Sequence, residues 1–471
     1  AHFRKPVVWL DCFDVSSYLV AGSNTIAVIA HFIGSTTKYN TVEEPGIFAE
    51  VVMDAGSGSP QVEGTSPDWR VAQLGCWAAE TPRKNWALEH IEDLDLSHPD
   101  FGILTDLANE DYASSVSSNG EERFESPRVF ERPDLELRKR FVPNLRWERE
   151  DMYLPRQIFR GNTDIYEWQD TAVRLDHEYV WRDLDESTYE MQRSGHVVFD
   201  RRTGEPGYLC LYDFGRICAG DPAVEIVCDQ ACTLDFAMAE ALMPDGRPIV
   251  WRTGNMFYSR YHLQPGLNRI RFYHFSGYRY LYLVLKDAVG KVEIKRVSSH
   301  HCRADLEFVD SFSSNDRAAE SLYRISRRSI KLNTQAYPYD CNGREQGAYW
   351  GDNIWIADSV GHMTGDFSHM RHLCYAATEE YETHGPLIPA NLYGLAPILY
   401  DYCLVPPECL WRYYQHTGDA TTVQDNLQTM RDIVSKFRDF KKTNGLLALS
   451  KIDVENAETP QALQFLDHPG N

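Results

Sequence analysis

Residues 337–353 read YPYDCNGREQGAYWGDN. This stretch holds Asp340, Arg344, Glu345 and Asp352 among glycines and aromatic rings, and follows neither the helical nor the strand period. One reading is a polar loop between helices. The other is a carbohydrate site, because pyranose rings take aromatic platforms and their hydroxyls take carboxylates as acceptors. The flanking sequence sets the context for choosing between them.

A helical period begins near residue 312. Ser313 and Asp316 precede Ala318, Ala319, Leu322 and Ile325, the pattern of a capped amphipathic helix. Beyond the loop, 365–385 offers Asp366 as a cap, Met370, Leu373 and Ala377 on one face, and Gly385 as a stop. The strongest helical pattern is 418–445. Asp419 can cap it, Val423, Leu427, Met430, Val434 and Phe437 repeat at helical spacing, and Asn444-Gly445 ends it. HMTGD at 362–366 and QHTGD at 415–419 repeat one helix-ending phrase, which suggests stacked helical hairpins.

The first 300 residues read as strands. NTIAVIAHF (24–32) alternates, GIFAEVVMD (46–54) follows, and RYLYLVLKD (279–287) is apolar on both faces, so it is expected to be covered on both sides. Turn signals between such runs suggest β-sandwiches. Residues 86–150 are polar and aperiodic in the middle and read as a connection. The division is therefore 1–85 as a first sandwich, 86–150 as a polar connection or insertion, 151–311 as a second sandwich, and 312–471 as a helical domain with five or six helices.

A chain of 471 residues, 43% hydrophobic and 25% charged, belongs to the globular class and is long enough for several cores. Its net charge of −22 argues against a nucleic-acid partner, which needs a basic face. No apolar run reaches membrane-spanning length, so no membrane partner is expected. Eleven scattered cysteines and no Asn-x-Ser/Thr sequon favour reduced thiols and a cytoplasmic location. His300 and His301 lack a spaced third ligand. His362, His369 and His372 read as surface or packing residues. No metal and no cofactor are expected, and no phosphate-binding glycine loop or nucleophile elbow is present.

DCNGREQGAYWGDN resembles the signature loop of the glycoside hydrolase family 78 α-L-rhamnosidases, which runs Asp-Cys-Pro-x-x-Glu-Gln-x-x-Tyr-x-Gly-Asp. The chain keeps Asp340, Cys341, Glu345, Gln346, Tyr349, Gly351 and Asp352 in that spacing and departs at Asn342 and Asn353. DVSSYLVAGSNTIAV (14–28), TSPDWRV (65–71), FSGYRYLYLVL (275–285) and WRYYQHTGD (411–419) are similar to family phrases in the same order. The resemblance implies a multidomain β + α architecture: N-terminal β-sandwich modules followed by an (α/α)6-barrel catalytic domain. With so few helices, 312–471 is expected to be the first half of that barrel, truncated at its C-terminal side.

The implied reaction is inverting hydrolysis of terminal α-L-rhamnosides, with a rhamnose-containing oligosaccharide or glycoside as partner; a homodimer is left open. Inversion needs one carboxyl that protonates the leaving oxygen and another that activates water, about 6.5–9.5 Å apart. By resemblance Glu345 is the general acid, and the base is a glutamate far downstream. Asp340, Arg344, Trp350 and Asp352 are the substrate-binding candidates. Asp352 has a helix cap as its other role, Arg344 a pairing with a carboxylate, and Trp350 a place in the core. Two rivals stand beside this reading: a non-catalytic carbohydrate-binding protein, and a related inverting glycosidase for another sugar.

Overall fold

The computed structural model describes residues 7–447 except 23, 41–44, 54–59, 108–123, 131–135, 162, 164–184, 187–189, 192–195, 245, 247, 253–254, 274, 310–311, 393 and 395. Its strand-rich part is organised around one strand of 22 residues, Gly207–Cys228. Residues 207–211 pair with Gln157–Gly161, and 208–213 with Ser276–Lys286. Residues 220–228 pair with Gly290–Ala304, and 223–228 with Gly266–Arg271. The register shifts between Asp213 and Cys218, where Gly215 has φ +72°. A bulge of this kind bends a strand, and Ser276–Lys286 follows it by pairing with 208–213 before the shift and with 218–220 after it.

Ser276–Lys286 is buried along nearly its whole length. Leu281, Leu283 and Leu285 pack with Tyr212 and Phe236, while Tyr280, Tyr282 and Val284 pack with Leu211 and Tyr258. This two-sided burial is what its two apolar faces require.

Elsewhere the strand pattern misleads. Residues 24–32 form no strand, and Ile26, Val28, Ile29 and Phe32 are exposed. Alternation alone does not make a strand without a neighbour to complete the ladder. The run at 46–54 contributes only Glu50–Met53, paired with Gln61–Gly64.

The stretch 86–150 is tied into the sheet in two places. Asp93–Asp95 runs parallel to Tyr258–Leu263, and Leu145–Met152 pairs with Gly290–Ala304. Leu88 and Leu94 lie in the main core, as does Phe101 from helix α1 (Pro99–Leu107). Three residues are too few to show a period. Leu145–Met152 carries the charges typical of a strand at a sheet edge, which hide its pattern.

Helix α2 (Arg317–Leu332) is capped, as expected, and the capping residue is Asp316, yet Leu322 and Ile325 are exposed. Four longer helices follow the loop as two hairpins: α3 (Trp350–Thr364) with α4 (Ser368–His384), and α6 (Val405–Thr417) with α7 (Ala420–Arg438). Between the hairpins lies the short α5 (Tyr400–Cys403).

The repeated Thr-Gly-Asp builds the same corner twice. Gly365 and Gly418 stop their helices in the left-handed conformation, at φ +79° and +68°. Thr364 and Thr417 hydroxyls bond back to the Val360 and Tyr413 carbonyls at 2.7 and 2.8 Å. Asp366 and Asp419 then accept the Ser368 and Thr421 amides at 2.7 and 3.0 Å. In α7 the inward face is Thr422, Asn426, Thr429, Met430, Ile433 and Phe437, and Val434 lies outside it. The shift follows from hydrogen bonding: Asn426 and Thr429 face the Thr378 hydroxyl of α4, so polar residues line this seam.

The N-terminal strand Val7–Leu10 docks on α4. Trp9 donates its indole N–H to Glu379 at 3.3 Å and meets His372 edge-on at 5.0 Å. His369 and His372 are buried, and burial holds both below the usual imidazole range, His372 at about 3. They are neutral packing residues.

The sheet contains a buried charge cluster. Arg260 donates to both Asp235 oxygens at 2.8 and 3.2 Å, Lys286 pairs with the same carboxylate, and all three side chains are at most 5% exposed. Removing one member leaves the others' charge stranded. Asp235→Ala should therefore cost about 3–5 kcal/mol, read as a lower urea midpoint, whereas a change under about 1 kcal/mol would mean that the cluster is neutral to stability.

Candidate active site

The loop 340–349 is closed by its own first residue. The Asp340 amide donates to the Gly347 carbonyl at 2.9 Å, and the Gly347 amide returns a bond to Asp340 Oδ1 at 2.8 Å. Gln346 lies at φ +52°, a conformation that costs energy outside glycine. Its side chain offsets this by donating to the Phe275 carbonyl of the sheet at 2.9 Å. Asn342 lies over Gly277, where a Cβ would collide with it. The departure from proline at 342 thus falls on a packing position.

Within this frame Glu345 is buried, and both its oxygens face donors. The Tyr349 hydroxyl donates to Oε2 at 2.6 Å, and Arg344, half-exposed, pairs with Oε1. A Cβ at Gly347 would come within 2.5 Å of the Tyr349 ring, so glycine there lets the tyrosine stand against Glu345. Burial pushes Asp340 up to about 6; bonds from Cys341 and Gly347 oppose this, and the charge of Glu345 adds to it. Burial likewise raises the Cys341 thiol to about 11, so it stays protonated.

Trp350 is not at this site. It is 1% exposed in the helical core, with its indole N–H on the Pro389 carbonyl at 3.0 Å. Of the two aromatics that flank Glu345 in sequence, Tyr349 is the one that contacts it. Asp352 is half-buried in the first turn of α3, and the cap position itself belongs to Tyr349. A carboxylate in the first turn meets the positive end of the helix dipole.

Lys38, some 300 residues upstream, is the member that sequence reasoning missed. It is 3% exposed, and its ammonium lies 4.7 Å from the Trp86 ring centroid and 5.4 Å from that of Tyr349. Burial lowers its pKa, against the attraction of Glu345 and Asp340. Asn391 holds the Lys38 carbonyl, and Gly394 passes so close to it that a Cβ would collide. Asn85 ties the same region to the loop through the Arg344 carbonyl at 2.8 Å. No spacing or motif announces these contacts; only the folded chain brings them together.

Comparison with known proteins fits this geometry. Residues 307–455 match the family model described as bacterial alpha-L-rhamnosidase 6 hairpin glycosidase domain. This segment is similar to the six-hairpin glycosidase domain of bacterial α-L-rhamnosidases. The signature loop, α2 and both Thr-Gly-Asp hairpins lie inside the matched segment. The structure is similar to the GH78 rhamnosidase of Bacillus sp. GL1, with TM-score 0.72 and 12% identity over 88% of this chain and 61% of that one. It is also similar to the α-L-rhamnosidase of Aspergillus terreus, with TM-score 0.57 and 14% identity over 85% and 40%. A third is the Streptomyces avermitilis α-L-rhamnosidase complexed with L-rhamnose, with TM-score 0.55 and 14% identity over 84% and 33%. The chain thus spans less than two thirds of each of these proteins. No curated protein matches it.

The carboxyl of Asp340 is protonated more readily in the folded chain than in the unfolded one, so the fold binds the extra proton between pH 3.8 and about 6. Stability from this group is accordingly lost as pH rises through that window. Asp340→Asn should be more stable than the parent at pH 7–8, by about 2–3 kcal/mol, with the gain vanishing near pH 4. A variant less stable than the parent at pH 8 would show that the buried charge is better compensated than the geometry indicates.

Proposed function

We propose that this site hydrolyses terminal α-L-rhamnosides with inversion, Glu345 giving its proton to the leaving oxygen. The observation that carries the reading is the closed loop that sets a buried Glu345 and a half-buried Asp340 together beside Lys38 and Tyr349. To hold a proton, Glu345 must give up one of its two donors. Arg344, with its side chain 46% exposed, is the one placed to swing toward solvent or a sugar hydroxyl. Asp340 and Asp352 accept sugar hydroxyls. Trp86, 59% exposed beside Lys38, takes the aromatic role that Trp350 cannot. Water activation falls to a carboxylate outside this loop. The two helical hairpins, with α2, belong to an (α/α)6 ring in this proposal, and the substrate is a rhamnose-containing glycoside.

One observation favours a second assignment within the same reaction. Asp340, at about 6, holds a proton nearer to neutral pH than an ordinary aspartate does, and a general acid needs that property. The two assignments separate by leaving group. With Glu345 as acid, Glu345→Gln slows natural rhamnosides by about 10²–10⁴-fold and aryl rhamnosides with acidic phenols much less. Asp340→Asn then slows both classes by one factor. The reverse pattern makes Asp340 the acid, and equal losses for both classes in both variants would remove acid catalysis from this loop.

A further inference from the structure

Away from the loop, three potential ligand atoms meet where the last turns of α3 and α6 lie side by side. They are Asp358 Oδ1, His362 Nε2 and His416 Nε2, all within 4.8 Å of one another. Asp358 and His362 are four residues apart on α3, so they share one face. His416 comes from α6, one residue before its Thr-Gly-Asp corner.

The carboxylate is the telling member. Asp358 is 8% exposed, and its Oδ1 is buried without a hydrogen-bond partner among the described residues. Nevertheless His416 Nε2 is only 3.0 Å away and His362 Nε2 3.6 Å. Neither imidazole is turned to donate to it. A buried carboxylate oxygen left this way is costly.

We infer that these three side chains bind a divalent first-row cation, with Zn²⁺ as the natural occupant. In a tetrahedral site with Zn–N and Zn–O bonds of about 2.0–2.1 Å, neighbouring ligand atoms stand roughly 3.3 Å apart. The 3.0 and 3.6 Å separations bracket that value. Two imidazoles and one carboxylate suit Zn²⁺ and leave a fourth position for water. Both histidines reach solvent, with side chains 61% and 24% exposed, so an ion can enter.

The surroundings orient the ligands. Arg412 takes the other carboxylate oxygen, Oδ2, at 3.3 Å, is itself held by Glu408 at 2.8 Å, and leaves Oδ1 to the ion. Phe367 stacks on the His416 ring at 4.7 Å and 15°, and His362 stands edge-on to that ring at 4.7 Å. Gly361 makes room for Phe367, because a Cβ there would strike its ring. Outer contacts of this kind fix ligand orientation before the metal arrives. The ion would clamp one helical hairpin to the next, and it stands apart from the hydrolytic loop.

The test is titration of the purified, metal-stripped chain with Zn²⁺, and with Co²⁺ for its visible spectrum. The chain has sixteen histidines and eleven cysteines, so the reference is the His362→Gln/His416→Gln double variant. The expected result is one equivalent bound by the parent beyond the double variant, a tetrahedral Co²⁺ spectrum, and a melting temperature several degrees higher with Zn²⁺. His362→Gln, at an exposed position, should leave the metal-free melting temperature unchanged and weaken binding at least tenfold. The same stoichiometry, affinity and melting shift in parent and double variant would overturn the inference.

Discussion

The confinement of two carboxylates in one short loop, Glu345 buried and Asp340 half-buried, is the constraint on which the candidate site depends. Asp340 and Glu345 are five residues apart, and the charge of Glu345 adds to the cost that burial sets on charging Asp340. Backbone closure between Asp340 and Gly347, the Tyr349 hydroxyl, Arg344 and the buried ammonium of Lys38 offset that cost. Arg344, Gly347 and Tyr349 lie in the loop itself, while Lys38 reaches it from far upstream. The sheet supplies the Phe275 carbonyl that holds Gln346 in its unfavourable conformation.

This dependence explains why the strand-rich half and the helical half pack as they do. Gly277 on the sheet leaves room for Asn342, and Gly394 leaves room for the Lys38 carbonyl. Trp9 and Phe141 contact α4 through His372 and Tyr375, so the N-terminal strand also braces the first hairpin. A loop that stores backbone strain and buried charge needs support from several sides, because its own contacts do not over-determine it. The helices contribute stiffness through two copies of one corner, in which a threonine, a left-handed glycine and an aspartate satisfy the exposed ends of consecutive helices.

Much of this was legible in the sequence, wherever the deciding interactions are local. The helix stops at the Thr-Gly-Asp corners, the Asp419 cap and the two-faced strand 276–286 are short-range patterns and stand in the structure as read, whereas the cap position read for Asp366 belongs to Phe367. The loop spacing singled out Asp340, Arg344 and Glu345, which the fold keeps together. Trp350 illustrates the limit: an aromatic beside a carboxylate in sequence points, at the first position of a helix, into the core instead. Lys38 illustrates the opposite limit, since its role arises from contacts with residues near 86 and 349, distant in sequence. Residues 24–32 alternate as a strand should, but alternation says nothing of whether a neighbour is there to pair with.

The central claim is that this loop is a rhamnose site built around Glu345 and Asp340, and isothermal titration of the chain with L-rhamnose tests it most directly. The account predicts saturable binding of one sugar per chain, weakened at least tenfold by Asp340→Asn and by Lys38→Met, with D-glucose binding far more weakly. Absence of binding by a folded chain, or binding that neither substitution disturbs, would contradict it.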